Sequence, residues 1–125
     1  MTEKILYPSM IEKLPEIDIP VPGVQGRLLQ GQEMQAVFFS VESTGEIPPH
    51  AHQAQWGVIL EGEMELTVDG VTRHCGRGDA YYIPAGVVHA IRILSPMKAL
   101  DIFDEPARYT IKKSNVMPEA DTREA

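Results

Sequence analysis

Gly78-Asp79-Ala80-Tyr81-Tyr82-Ile83-Pro84-Ala85-Gly86-Val87-Val88-His89 is a short apolar run, a Pro/Gly turn, and a histidine that opens the next apolar run. This strand, turn, strand reading extends in both directions. Runs rich in Val, Ile, Leu, Tyr and Phe lie near Ala36–Ser40, Gly57–Leu60, Glu63–Val68, Val71–Cys75, Ala80–Ile83, His89–Leu94 and Lys98–Phe103. Ten glycines and ten prolines punctuate them, which marks short strands joined by turns. Glu63–Val68 alternates polar and apolar residues, the period of a half-buried strand. Asp69-Gly70 follows it as a tight-hairpin signal, and Glu61-Gly62 is a second turn. No window keeps a helical period for ten residues; Ser9–Leu14 makes at most one helical turn, ended by Pro15. The expectation is an all-β single domain, a sandwich or barrel whose closure hides its strand edges.

The 125 residues suit one domain with a real core. Hydrophobic residues make up 43% and charged residues 23%, as in an ordinary globular protein. The net charge of −7 repels phosphate backbones and argues against nucleic-acid binding. No apolar run is long enough to span a membrane, and residues 1–8 lack the apolar stretch of a signal peptide, so the expectation is a cytoplasmic protein with no membrane partner. Cys75 is the lone cysteine; it has no disulfide partner and reads as a small buried hydrophobe. The chain divides into an extended arm over 1–27, a barrel over 28–113 and a polar, acidic tail over 114–125 that frays. Ile17–Gly26, carrying Pro20 and Pro22, packs against the barrel or against another subunit.

Three of the four histidines fall in two clusters. In His50-Ala51-His52, side chains two apart on a strand share a face, as two imidazoles must to share one metal ion. Pro48-Pro49 upstream resists sheet pairing, which places the histidines at the start of a strand near a barrel mouth. With His89 added, the chain resembles the cupin superfamily. The second cupin motif is met by Gly78, Pro84, Gly86 and His89, with Ile93 where the motif ends in asparagine. The first runs Gly45, His50, His52, Gln55, Gly62. Gly45 stands one residue close, the gap from His52 to Gln55 is short, and Gln55 replaces the usual glutamate. Trp56 fits the spacing as well, but indole is no ligand.

The resemblance implies a double-stranded β-helix, or jelly-roll barrel, with one divalent metal inside one end held by His50, His52, Gln55 and His89. It also implies a homodimer and a small-molecule ligand. Three imidazoles and an amide oxygen leave the ion's charge uncompensated, so the site should attract an anion and hold the ion less tightly than a glutamate-bearing one. Nitrogen and oxygen donors suit Mn, Fe, Ni, Co, Cu or Zn without choosing among them. Trp56, Tyr81 and Tyr82 are candidates for a substrate pocket, and alternation turns only one of the two tyrosines inward. His74 stands apart from both motifs and reads as a surface or half-buried histidine.

No Ser-His-Asp order, phosphate loop or paired carboxylates accompany His50 or His89. The resemblance implies a small metal-dependent enzyme for an anionic or oxygen-rich substrate, a dioxygenase, decarboxylase or isomerase. With no acid-base residue evident beside the metal, the reading leans toward oxygen chemistry. The alternative is a non-catalytic binding or sensor module, and last a structural role with a vestigial site.

Overall fold

The computed structural model describes residues 7–113; the acidic tail and the first six residues of the arm lie outside them. A single helical turn, α1 (Ser9–Glu12), precedes nine strands: β1 (Val24–Gln30), β2 (Gln35–Val41), β3 (Gly45–His50), β4 (Gln55–Glu61), β5 (Glu63–Val68), β6 (Val71–Gly76), β7 (Ala80–Ile83), β8 (His89–Ile93) and β9 (Met97–Phe103). They form two antiparallel sheets, ordered β1-β2-β9-β4-β7 and β3-β8-β5-β6, a jelly roll.

The alternation read from the sequence decides which side chains face inward. On β9, Met97, Ala99, Asp101 and Phe103 are buried and the residues between them are not. Met64 and Leu66 do the same on β5. The β5–β6 hairpin closes at Asp69-Gly70, whose φ angles of 51° and 81° are the pair of left-handed conformations that a two-residue turn matching strand twist requires.

Two strands escape the sequence signal. β1 begins at Val24, inside the segment expected as an arm, and pairs with β2 from Val24↔Val41 to Gln30↔Gln35. The residues before it also belong to the barrel: Ile17 is buried, bridges Ile111, and donates its N–H to the Gly26 carbonyl at 3.0 Å. β3 contains Pro48 and Pro49 and pairs with β8 all the same, because the register shifts between Ile47 and His50. That irregularity passes the two missing donors, and pairing resumes at His50↔His89. His50 and His52 therefore do not open a strand, whereas His89 does open β8. His50 closes β3, and His52 lies in the connection to β4.

The buried apolar residues form two clusters rather than one. The larger includes Ile59, Met64, Leu66, Ile93, Met97 and Ala99; the smaller is Ile17, Leu28, Val37 and Phe103. Members of both line a single cavity of about 520 Å³ that opens beside the histidines.

Candidate metal centre

His50 and His89 face each other across the β3–β8 ladder, and the connection after β3 folds His52 back against them. The three ring centroids are 4.3 to 5.2 Å apart. Each ring has its Nδ1 beside a backbone carbonyl: His50 with Pro48 at 3.0 Å, His52 with Gln53 at 2.7 Å, and His89 with Val87 at 3.0 Å. A carbonyl only accepts, so Nδ1 carries the hydrogen and Nε2 keeps a free lone pair in all three. His89 Nε2 is buried with no hydrogen-bond partner among the described residues. Burial, then neighbouring cationic groups, push the His52 and His89 pKa values down, which keeps both rings neutral.

Three imidazoles turned toward one another, one with a buried Nε2 left unpartnered, fit a transition-metal ion. One donor atom from each lies within 4.8 Å of the others, close to the roughly 4 Å that two metal–nitrogen bonds span across an ion.

Gln55 begins β4 and lines the same cavity. Its Nε2 donates to Asp101 Oδ1 at 2.9 Å, and the Tyr81 hydroxyl donates to the same oxygen at 2.8 Å. Both structural bonds fall on Oδ1, so Oδ2 is spared. Asp101 is 3% exposed, and burial raises its pKa to about 6 against the opposing effect of the two donors. The Tyr81 hydroxyl is driven well up, first by burial and then by Asp101. Gly57, between Gln55 and Ile59, is what admits this pair: a Cβ there would collide with Asp101 Oδ1 and the Tyr81 ring.

Arg108 comes from the segment after β9. Its guanidinium lies 4.8 Å from the Tyr109 ring centroid and 5.9 Å from that of Phe103. It lines the cavity, and its buried Nε has no partner among the described residues.

Of the pocket candidates, Tyr81 lines the cavity; Trp56 and Tyr82 do not. The β4–β7 register pairs Trp56 with Tyr82 on the outer face, where they are 42% and 60% exposed. Their even numbers on strands whose odd residues point inward explain it. His74 is exposed and lies 3.0 Å from Glu63, away from the site. Asp101 and Arg108 were not singled out from the sequence. Asp101 carried a usable signal, a carboxylate in phase with Met97, Ala99 and Phe103; Arg108, in a polar loop, carried none.

The model of the cupin domain family matches residues 37–103, more than half of the chain. An RmlC-like cupin from Shewanella frigidimarina superposes with a TM-score of 0.68 at 28% identity, over 86% of this chain and 94% of its own. KdgF from Halomonas sp. does so with a TM-score of 0.65 at 26% identity, over 74% and 86%. Oxalate decarboxylase from Bacillus subtilis shares the fold at 20% identity and a TM-score of 0.66, over 77% of this chain and 28% of its own. The chain matches no curated protein.

Proposed function

This chain belongs to the cupin family, and from that premise we propose a metal-dependent enzyme that moves a proton on a small, enolisable, anionic substrate. The observation that carries the reading is Asp101. A buried carboxylate with one oxygen anchored twice and the other spared is an acid-base group inside the cavity of the three histidines. It replaces the reason for leaning toward oxygen chemistry, which was that no such group was evident.

His50, His52 and His89 would hold the ion, with Gln55 offering its amide oxygen, since its nitrogen is committed to Asp101. A bound divalent ion supplies Lewis-acid stabilisation of a developing oxyanion. Arg108 lines the cavity with its Nε unpartnered among the described residues, and its guanidinium would fix a substrate carboxylate. Asp101 Oδ2 would take the proton from the carbon next to the substrate carbonyl. The C–H electron pair becomes a C=C bond as the carbonyl π pair moves to oxygen, and the same carboxyl returns the proton either to that carbon or, in a substrate with a further C=C beside it, to the far end of that double bond as the carbonyl re-forms. The first course is proton exchange; the second is an isomerisation with no other reactant.

The test uses protein purified without an affinity tag. About one equivalent of a transition metal is expected, and it should be lost in the His50→Ala/His52→Ala variant. In deuterium oxide, NMR should then show exchange at the carbon next to the carbonyl of an α-keto acid. Asp101→Asn should abolish the exchange while keeping the metal. Bound but unexchanged substrate in the wild type would instead favour a binding or sensor module. The reading includes a cytoplasmic homodimer, which light scattering and fractionation check. Among the described residues no helix is long and apolar enough to cross a membrane.

A further inference from the structure

The cavity does not end at the polar groups. Along β9 it runs from Phe103 and Asp101 past Ala99 to Met97, and six residues of strand span about 20 Å. The strand registers sort its lining into levels. His50, His89, Gln55 and Phe103 share the mouth, with Asp101 and Tyr81 next. Below them, Ala99 lies opposite Phe39 on one sheet and Met64 opposite Ile93 on the other. Lowest are Met97, Val41 and Val24. Of the titratable side chains of the lining, His50, His52, His89, Tyr81, Asp101 and Arg108 belong to the upper levels, and Asp18, an exposed residue, stands outside the two sheets on the arm beside β1. Among the described residues, the two buried side-chain polar atoms without partners, His89 Nε2 and Arg108 Nε, are also at that end.

Protein interiors normally close over space of this size. Water is a poor occupant of the lower half, because an ordered water needs two to four polar partners and the strand residues that line it, Phe39, Val41, Met64, Ile93, Met97 and Ala99, have no polar side-chain group. Ala99 is the small residue that keeps the passage open between the larger side chains at its level.

We propose that the ligand of this cavity is amphipathic: a carboxylate head at the histidines and Arg108, and an unbranched or aryl hydrocarbon tail that runs past Ala99 to the Met64 and Met97 floor. The head rests on the reading given under the proposed function; the tail rests on the lower lining alone. A polyhydroxylated acid of the same length is excluded as a good ligand, since its hydroxyls would be buried without partners.

The experiment is a titration of the zinc-loaded full chain with straight-chain α-keto acids of butyrate to octanoate length, and with gluconate. Each methylene that enters the lower half should tighten binding about fourfold. Gluconate should bind no better than the shortest acid. Ala99→Leu should bring the long acids down to the affinity of the shortest, leaving zinc uptake and the shortest acid unchanged. A flat length series, or gluconate binding more tightly than the long acids, overturns the proposal. If the wild type takes up no zinc, the metal reading fails instead, and the same series on the metal-free chain still reads the tail through its slope. The wild-type series decides the matter even if Ala99→Leu does not fold.

Discussion

Gln55 shows why this chain departs from the usual acid of its motif. A glutamate has no hydrogen to give Asp101 Oδ1, and the 2.9 Å contact would then place two carboxylates against each other. The amide resolves that conflict by donating from nitrogen and leaving its oxygen free. Gln55→Glu should therefore destabilise the metal-free protein by about 1–3 kcal/mol. With a divalent ion bound, the added charge should reverse the sign and tighten metal binding at least tenfold over wild type. Thermal melts with and without zinc, together with calorimetric titration, read both halves. Loss of stability in both states would mean that Gln55 faces no ion. Of this site, His50 and His52 drew notice by their spacing, and His89 through the Pro/Gly turn motif that precedes it. Asp101 showed in the sequence only as a carboxylate in phase with buried neighbours, and its role stayed out of view because its partner Gln55 lies 46 residues away in the chain, on another strand.

Among the elements, β4 and β9 hold the Gln55–Asp101 pair firmly because both lie inside the five-stranded sheet, each paired on both sides. Gly57 on β4 is a strand residue in a place where glycine costs stability, and its missing side chain is the space that Asp101 and Tyr81 use. Gly57→Ala should displace that pair, lower stability by about 1–3 kcal/mol and weaken zinc binding through Gln55. By contrast, Gly70→Ala in the β5–β6 turn should lower stability by about 1 kcal/mol, from its positive φ alone, and leave zinc affinity as it was. Chemical denaturation and zinc titration of the two variants separate the effects. Equal zinc affinity in Gly57→Ala would detach the Asp101 network from the metal. The alternating strands were readable for the physical reason that one face of each is buried. β1 and β3 were not, because Gly26 interrupts one and Pro48-Pro49 the other, and only pairing with β2 and β8 makes them strands.

For the whole molecule, the buried site sets how stability depends on pH. The Asp101 pKa is raised from 3.8 to about 6 in the folded chain, so between those values the folded state binds more protons than the unfolded one. Its contribution is most favourable below about pH 4, is lost as pH rises through 6, and stays lost above. His52 and His89 act in the opposite sense. Their lowered pKa values make the unfolded state the better proton acceptor, so stability falls as pH drops below about 6.5. The two effects overlap in the metal-free wild type and flatten its profile. Asp101→Asn keeps an oxygen to accept from Gln55 and Tyr81 but cannot ionise. It should match the wild type near pH 4 and exceed it above pH 6 by an amount on the order of 3 kcal/mol. The histidine effect is common to both proteins and cancels in the difference. A saturating divalent ion adds positive charge to the same cavity and favours the ionised carboxylate, so the difference should shrink when zinc is present. Paired melts from pH 4 to pH 8, with and without zinc, test this. A difference that is flat across the range would show that Asp101 titrates as an ordinary carboxylate. A difference that grows with pH but ignores zinc would place ion and carboxylate too far apart to share one substrate.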